Sequence, residues 1–223
     1  MKTILTLTLL FLSMLTFGQK KRSKDCLVAY TDTTSGKDLI GYKSLRGEII
    51  IKAKYQDGSD KLCGMAIVLN SEFEFVGINK NDSIILKPYI YDNGPDYLEE
   101  GLFRFVEQGK IGFVNLEGQK IIKAKYDFAT PFSDGLSEYY IGGEEVYENG
   151  KTKKEIILES GYEGLVDKHW TWGGNVIENG YINKYGQEFE KVTELKNNKR
   201  EVWTKDKKHF LLNKQGQIIK QIK

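Results

Sequence analysis

The stretch His169-Trp170-Thr171-Trp172-Gly173-Gly174 holds the side chains that point most directly to recognition chemistry. Tryptophans two residues apart share one face of a strand, and adjacent aromatic platforms stack on sugar rings or on peptide side chains. Buried beside an irregular loop, the same rings would fill a core, and the sequence leaves both readings open. His169, Trp170 and Trp172 form the candidate ligand patch.

Other residue types are tested by spacing. The acidic runs Glu99-Glu100 and Glu144-Glu145 supply carboxyl groups for glycosidic chemistry, which needs two of them about 5 to 10 Å apart across a cleft. Neither run has apolar neighbours arranged to raise one carboxyl, so both read as solvated loop charge. Asp57-Gly58-Ser59-Asp60 and Asn79-Lys80-Asn81-Asp82 lack the twelve-residue loop ending in Glu that calcium favours, and read as hairpin turns. His169 and His209 are the two histidines and share no paired ligand spacing. No nucleophile elbow, phosphate loop or dinucleotide fingerprint occurs. The expectation is a protein that is not an enzyme, with no catalytic residue, metal or cofactor implied. Cys26 and Cys63 lie in apolar runs that read as strands; they can form a disulfide in an oxidising compartment or stay as buried thiols.

The elements that must position these residues are legible in a repeat. Ile50-Ile51-Lys52-Ala53-Lys54-Tyr55 recurs as Ile121-Ile122-Lys123-Ala124-Lys125-Tyr126, and upstream Gly41, Tyr42 and Gly47 fall on Gly112, Phe113 and Gly118. Weaker copies place turn positions at Asp82, Gly186 and Gly216, so successive intervals are 35, 36, 68 and 30 residues. The long interval includes Ile156 and Ile157, read as a degenerate copy, giving about six units with a period near 35. A further strand precedes each copy, at Gly64–Val68, Gly101–Val106, Gly135–Tyr139 and Arg200–Trp203. Alternation of Ile122, Ala124 and Tyr126 with Lys123 and Lys125 has the period of two expected of a strand with one wet face. Asn-Gly at 93–94, 149–150 and 179–180 and Asp-Gly at 57–58 and 134–135 are turn signals. The expected fold is all-β, with tandem hairpin or meander repeats stacked as a curved array, or alternatively closed as a propeller-like ring.

With these residues in view, the chain resembles the WG-repeat family. Gly109-Lys110-Ile111-Gly112-Phe113-Val114-Asn115 stands for the middle strand, Gly118-Gln119-Lys120-Ile121-Ile122 for the next, Tyr126-Asp127 for the closing pair and Phe132-Ser133-Asp134-Gly135 for the last turn. The namesake Trp is replaced by Ile111 here and by Ile40 in the first unit, and the literal pair Trp172-Gly173 lies outside the pattern. The resemblance implies a non-catalytic interaction module, usually exported or membrane-associated.

Residues 1–18 carry Lys2, an apolar and hydroxyl run and small residues before Gln19, the pattern of a secretory signal peptide. Residues 19–24 form a basic linker, and 25–223 the repeat domain. Cleavage would leave no stable membrane span, because the apolar run is shorter than the roughly 20 residues one needs. The formal net charge of +2 is far from the clustered basic surface that nucleic acid requires, so nucleic acid is not an expected partner. The reading is an exported scaffold in the periplasm, at the cell surface or secreted, binding another bacterial envelope protein. The competing reading is carbohydrate binding or processing through Trp170 and Trp172.

Overall fold

A computed structural model describes residues 26–91, 93–147, 150–152, 155 and 170–222. The signal-peptide candidate, the basic linker and His169 lie outside the described residues. The described chain forms a succession of three-stranded antiparallel meanders. The first comprises β1 (Leu27–Asp32), β2 (Leu39–Lys43) and β3 (Ile49–Tyr55). The second, reached through β4 (Asp57–Gly58) and β5 (Lys61–Leu62), comprises β6 (Ala66–Leu69), β7 (Phe75–Ile78) and β8 (Ile84–Pro88). After the small hairpin β9 (Ile90–Tyr91) and β10 (Gly94–Pro95), the third contains β11 (Leu102–Glu107), β12 (Lys110–Asn115) and β13 (Lys120–Tyr126). The fourth follows β14 (Phe128–Ala129) with β15 (Leu136–Tyr147), β16 (Trp170–Asn183) and β17 (Glu188–Phe189). The fifth follows β18 (Lys191–Val192) with β19 (Lys199–Trp203), β20 (His209–Asn213) and β21 (Ile218–Ile222).

The turns repeat a single device. Gly47, Asp82, Gly118, Gly186 and Gly216 all have φ between 61° and 88°. Three residues upstream of each stands Ser44, Asn79, Asn115, Asn183 or Asn213, whose side-chain oxygen accepts two backbone N–H groups across the turn. For Asn115 the donors are Glu117 at 3.0 Å and Gln119 at 2.9 Å. The side chain thus satisfies amides that the reversal takes out of the ladder.

Two of the expected turns are strand instead. Asp57-Gly58 forms β4, and Asn179-Gly180 lies inside β16. Their glycines answer to space: a Cβ on Gly58 would sit 2.8 Å from the Tyr42 hydroxyl, and one on Gly180 would sit 2.7 Å from the Phe189 carbonyl. The run around Cys63 is likewise broken, with β5 ending at Leu62 and β6 starting at Ala66. Cys26 and Cys63 are joined in a disulfide between the start of β1 and the end of β5.

Each apolar core lies at a junction between successive meanders, as stacked repeats require. Leu27, Tyr42, Ile51 and Tyr55 of the first pack on Ala66, Val68, Val76 and Ile78 of the second. The second and third share Met65, Leu86, Phe103, Phe105 and Val114, and also join edge to edge through Phe105↔Pro88 and Val106↔Lys87 into one seven-stranded sheet. Ile111, Phe113, Ile122 and Tyr126 of the third meet Tyr139 and Ile182 of the fourth, and Leu136 and Phe189 of the fourth meet Val202 and Leu212 of the fifth. β12 is therefore buried on both faces, where simple alternation predicts one. Among the described residues no sheet closes into a barrel, and the curved array stands.

The 68-residue interval has its own architecture. β15 and β16 pair continuously in outline from Leu136↔Asn183 to Tyr147↔Trp170, with register shifts beside Gly142. Their inner halves supply two strands of the fourth meander, and their outer halves run on as a two-stranded ribbon. Ile156 and Ile157, read from sequence as a further copy, lie outside the described residues.

Candidate functional site

The ribbon and the β9–β10 hairpin meet over the junction of the third and fourth meanders and enclose a recess of about 450 Å³. Its hairpin wall is Tyr91 and Tyr97, with rings edge to face at 6.2 Å. Trp170 and Trp172, alternate residues of β16 that present one face of the ribbon as the strand period dictates, line the recess as well. Phe128 of β14 joins them to the core: it stacks on Trp172 at 5.1 Å and 10°, and meets Trp170 edge to face at 5.3 Å. Tyr89, Thr130, Pro131, Tyr140 and Thr171 complete the lining, together with Arg104 and Asp96.

Arg104 and Asp96 form a buried ion pair, with side chains 3% and 1% exposed. The guanidinium donates from Nε to Asp96 Oδ2 at 2.8 Å and from Nη2 to Oδ1 at 2.6 Å, while Nη1 donates to the Ala129 carbonyl at 2.8 Å. The Arg104 backbone N–H also donates to Asp96, at 2.9 Å. Two-pronged geometry with both carboxylate oxygens engaged is what allows a charged pair to be buried. The guanidinium lies over the Tyr89 ring at 4.3 Å. Burial pushes the Tyr89 hydroxyl above the ordinary tyrosine value, against the Arg104 charge and with the negative charges of Glu145 and Asp96. Trp172 Nε1 donates to the Gly142 carbonyl at 2.9 Å, and the Tyr140 hydroxyl donates to Glu138 at 3.0 Å.

Comparison with known proteins bears on the scaffold beneath this recess. Residues 111–144 match the family model described as a WG containing repeat. One unit of the array is thus similar to a WG repeat. No curated protein matches the sequence. Among solved structures, the crystal structure of the computationally designed Ika8 protein aligns with 90% of this chain at 10% identity and a TM-score of 0.25, a likeness too slight to speak to the fold. The chain spans 59% of that designed protein's length.

The WG repeat runs from β12 through β13 and β14 into β15, so its last strand begins the ribbon that carries Trp170 and Trp172 on its return. Its glycine, Gly112, sits where an added Cβ would be 2.6 Å from the Ile122 carbonyl and 2.7 Å from the Phe105 ring; Gly41 has the same surroundings in Ile51 and Tyr30. The ring of the preceding strand lies over the glycine of the middle one.

Of the residues singled out by sequence, Trp170 and Trp172 come together in the recess, whereas His169 lies outside the described residues. The disulfide Cys26–Cys63 belongs to the first meander's edge. Among the acids, Glu100 accepts the Gly135 N–H at 2.9 Å, and Glu145 accepts the Tyr147 hydroxyl at 2.8 Å. Among the described residues no group of three or more His, Cys, Asp or Glu is placed to hold a metal ion, and no helix is long and apolar enough to cross a membrane. Sequence reasoning missed Arg104, Asp96 and the tyrosines of the hairpin. The signals were present: Tyr89, Tyr91 and Tyr97 crowd nine residues, and Arg104 interrupts the apolar run Leu102-Phe103-Arg104-Phe105-Val106, a placement that demands a buried partner.

Proposed function

We propose that the protein is an exported, non-enzymatic β-repeat scaffold that holds another envelope protein through the aromatic recess. One observation carries this reading. Two places where the described chain leaves the meander pattern, the β9–β10 hairpin and the prolonged β15–β16 ribbon, are about 50 to 80 residues apart in sequence yet line the same recess. In repeat proteins such departures land on one face, often the binding face. An aromatic recess with a few fixed polar groups is also the usual make-up of a ligand site. Support for the non-enzymatic part comes from the recess's charged groups: Asp96 accepts from Arg104 with both oxygens, so each charge is committed to the other.

Carbohydrate binding through Trp170 and Trp172 is the second reading, favoured by paired indoles at the recess wall. Against it, a sugar needs many hydrogen-bonding partners, and three polar groups of the lining are engaged within the protein: Trp172 Nε1 on Gly142, Tyr140 on Glu138, and Asp96 on Arg104. Affinity capture with crosslinking, using mature chain and an envelope fraction, tests the choice. The scaffold reading expects a reproducible protein partner that the Trp170→Ala chain fails to retain. Recovery of glycan alone would sink it.

A further inference from the structure

The recess has a charge character that its aromatic lining conceals. Its lining contains one cation, Arg104, and one anion, Asp96, and their two-pronged pairing cancels both at the floor. Two further carboxylates stand beside the aromatic walls. Glu145 of β15 is the cross-strand partner of Trp172, and Tyr147 is that of Trp170; directly opposed residues of an antiparallel pair project to the same face. Glu145 therefore shares the face that carries the two indoles, and its negative charge is felt at the Tyr89 hydroxyl. Glu138 reaches the lining through its hydrogen bond from Tyr140. With Arg104 and Asp96 cancelling each other, the Glu145 carboxylate leaves negative charge on the face of the ribbon that carries rings themselves electron-rich. The charge of Glu138 is shared with that of Arg200 around Tyr181.

Resting on the reading that the recess binds a protein partner, we infer that its specific ligand is a cationic side chain, lysine or arginine, presented by that partner. The aliphatic stem of such a side chain lies along apolar surface while its charged head seeks a polar end, and here the stem would run between Tyr97 and Trp170. The head would take the faces of those rings and the Glu145 carboxylate, an attraction worth about tenfold in affinity for a desolvated cation over an aromatic ring. Two residues of the wall remain open to such a guest: Tyr97 is 64% and Tyr91 48% exposed. A volume of about 450 Å³ accommodates one long side chain with its flanking backbone and leaves no need for a deeper cavity.

The test is a titration of the full mature chain, followed by tryptophan fluorescence, with three probes: a Gly-Gly-Lys-Gly-Gly peptide, the same peptide with norleucine for lysine, and chitotriose. The inference predicts that the lysine peptide binds about tenfold more tightly than the norleucine peptide. It also predicts that added salt narrows that gap and that Glu145→Gln reduces it by a similar factor. Glu145→Gln keeps an oxygen for the Tyr147 hydroxyl, so its unfolding midpoint, measured alongside, separates lost affinity from lost folding. Equal binding of the two peptides overturns the cationic ligand while leaving the peptide-binding reading intact. Binding of chitotriose alone overturns both, and binding of no probe overturns the inference.

Discussion

At the residue scale, the repeated hexapeptide is architecture. β3 and β13 bury the same positions: Ile51 and Tyr55 in one, Ile122 and Tyr126 in the other, with the lysines exposed. Ile122→Asp places an unpaired carboxylate in the core between the third and fourth meanders and should lower stability by about 3 to 5 kcal/mol in urea unfolding, whereas Lys123→Ala should cost less than about 1 kcal/mol. The lysines of the two copies are not all idle. Lys54 and Tyr55 both donate to Asp82, and Lys125 and Tyr126 both donate to Glu188, so each brick also clasps an acid on a later unit. The buried pair at the recess floor makes the complementary case. Arg104→Ala strands the Asp96 carboxylate and should cost about 3 to 5 kcal/mol, while Arg104→Met combined with Asp96→Leu should recover most of that loss; a double-mutant cycle in urea reads the difference. Inward-facing residues such as Ile122 were legible because strand period assigns a side to each. The Arg104–Asp96 pair was not, because its members belong to different elements and only the fold of the hairpin brings them together.

At the element scale, the meander was readable and the ribbon was not. A turn glycine, or Asp82, and an asparagine, or Ser44, three residues before it mark each reversal locally, and all five turn positions adopt the left-handed conformation. Asn179-Gly180 carries the same local signal yet lies in β16, because pairing with β15 and the close approach of Phe189 fix it in a strand. Long-range pairing overrode turn chemistry there, as it does wherever cross-strand contacts outnumber local ones. The same junction carries a pH dependence. Lys110 and then the Gly142 N–H hold the Asp127 carboxyl below its ordinary range, and Lys205 does the same for Glu178. Burial alone would raise Glu188, but donation from Lys125 and Tyr126 outweighs it and leaves that carboxyl lowered too. Groups whose folded values are depressed stabilise the fold above the unfolded-state values near about 4, and that contribution disappears as pH falls through the folded values. The urea midpoint should therefore drop between neutral pH and about pH 3, and Asp127→Asn should flatten the drop; a midpoint independent of pH would contradict the role given to these contacts.

At the scale of the whole molecule, the protein is a line of meanders in which every core is shared by two neighbours, with one ribbon drawn out of the fourth. In such arrays stability is close to a sum of unit and neighbour terms, so a part that lies beyond the meanders should be removable. The outer ribbon pairs with itself from Glu144↔Gly173 outward, and it carries Glu145, Trp170 and Trp172. The most direct measurement compares the chain with one in which Gly142 is joined to Val176 by an Asn-Gly turn, scoring urea unfolding and retention of the protein partner proposed for the recess in the same preparation. A cooperative unfolding transition with a free energy about 1 to 3 kcal/mol below the parent, the loss of two aromatic contacts on Phe128, together with complete loss of the partner, is the predicted result. Retention of the partner by the shortened chain would contradict the recess as the binding site, and collapse of the array would contradict the separation of scaffold from site.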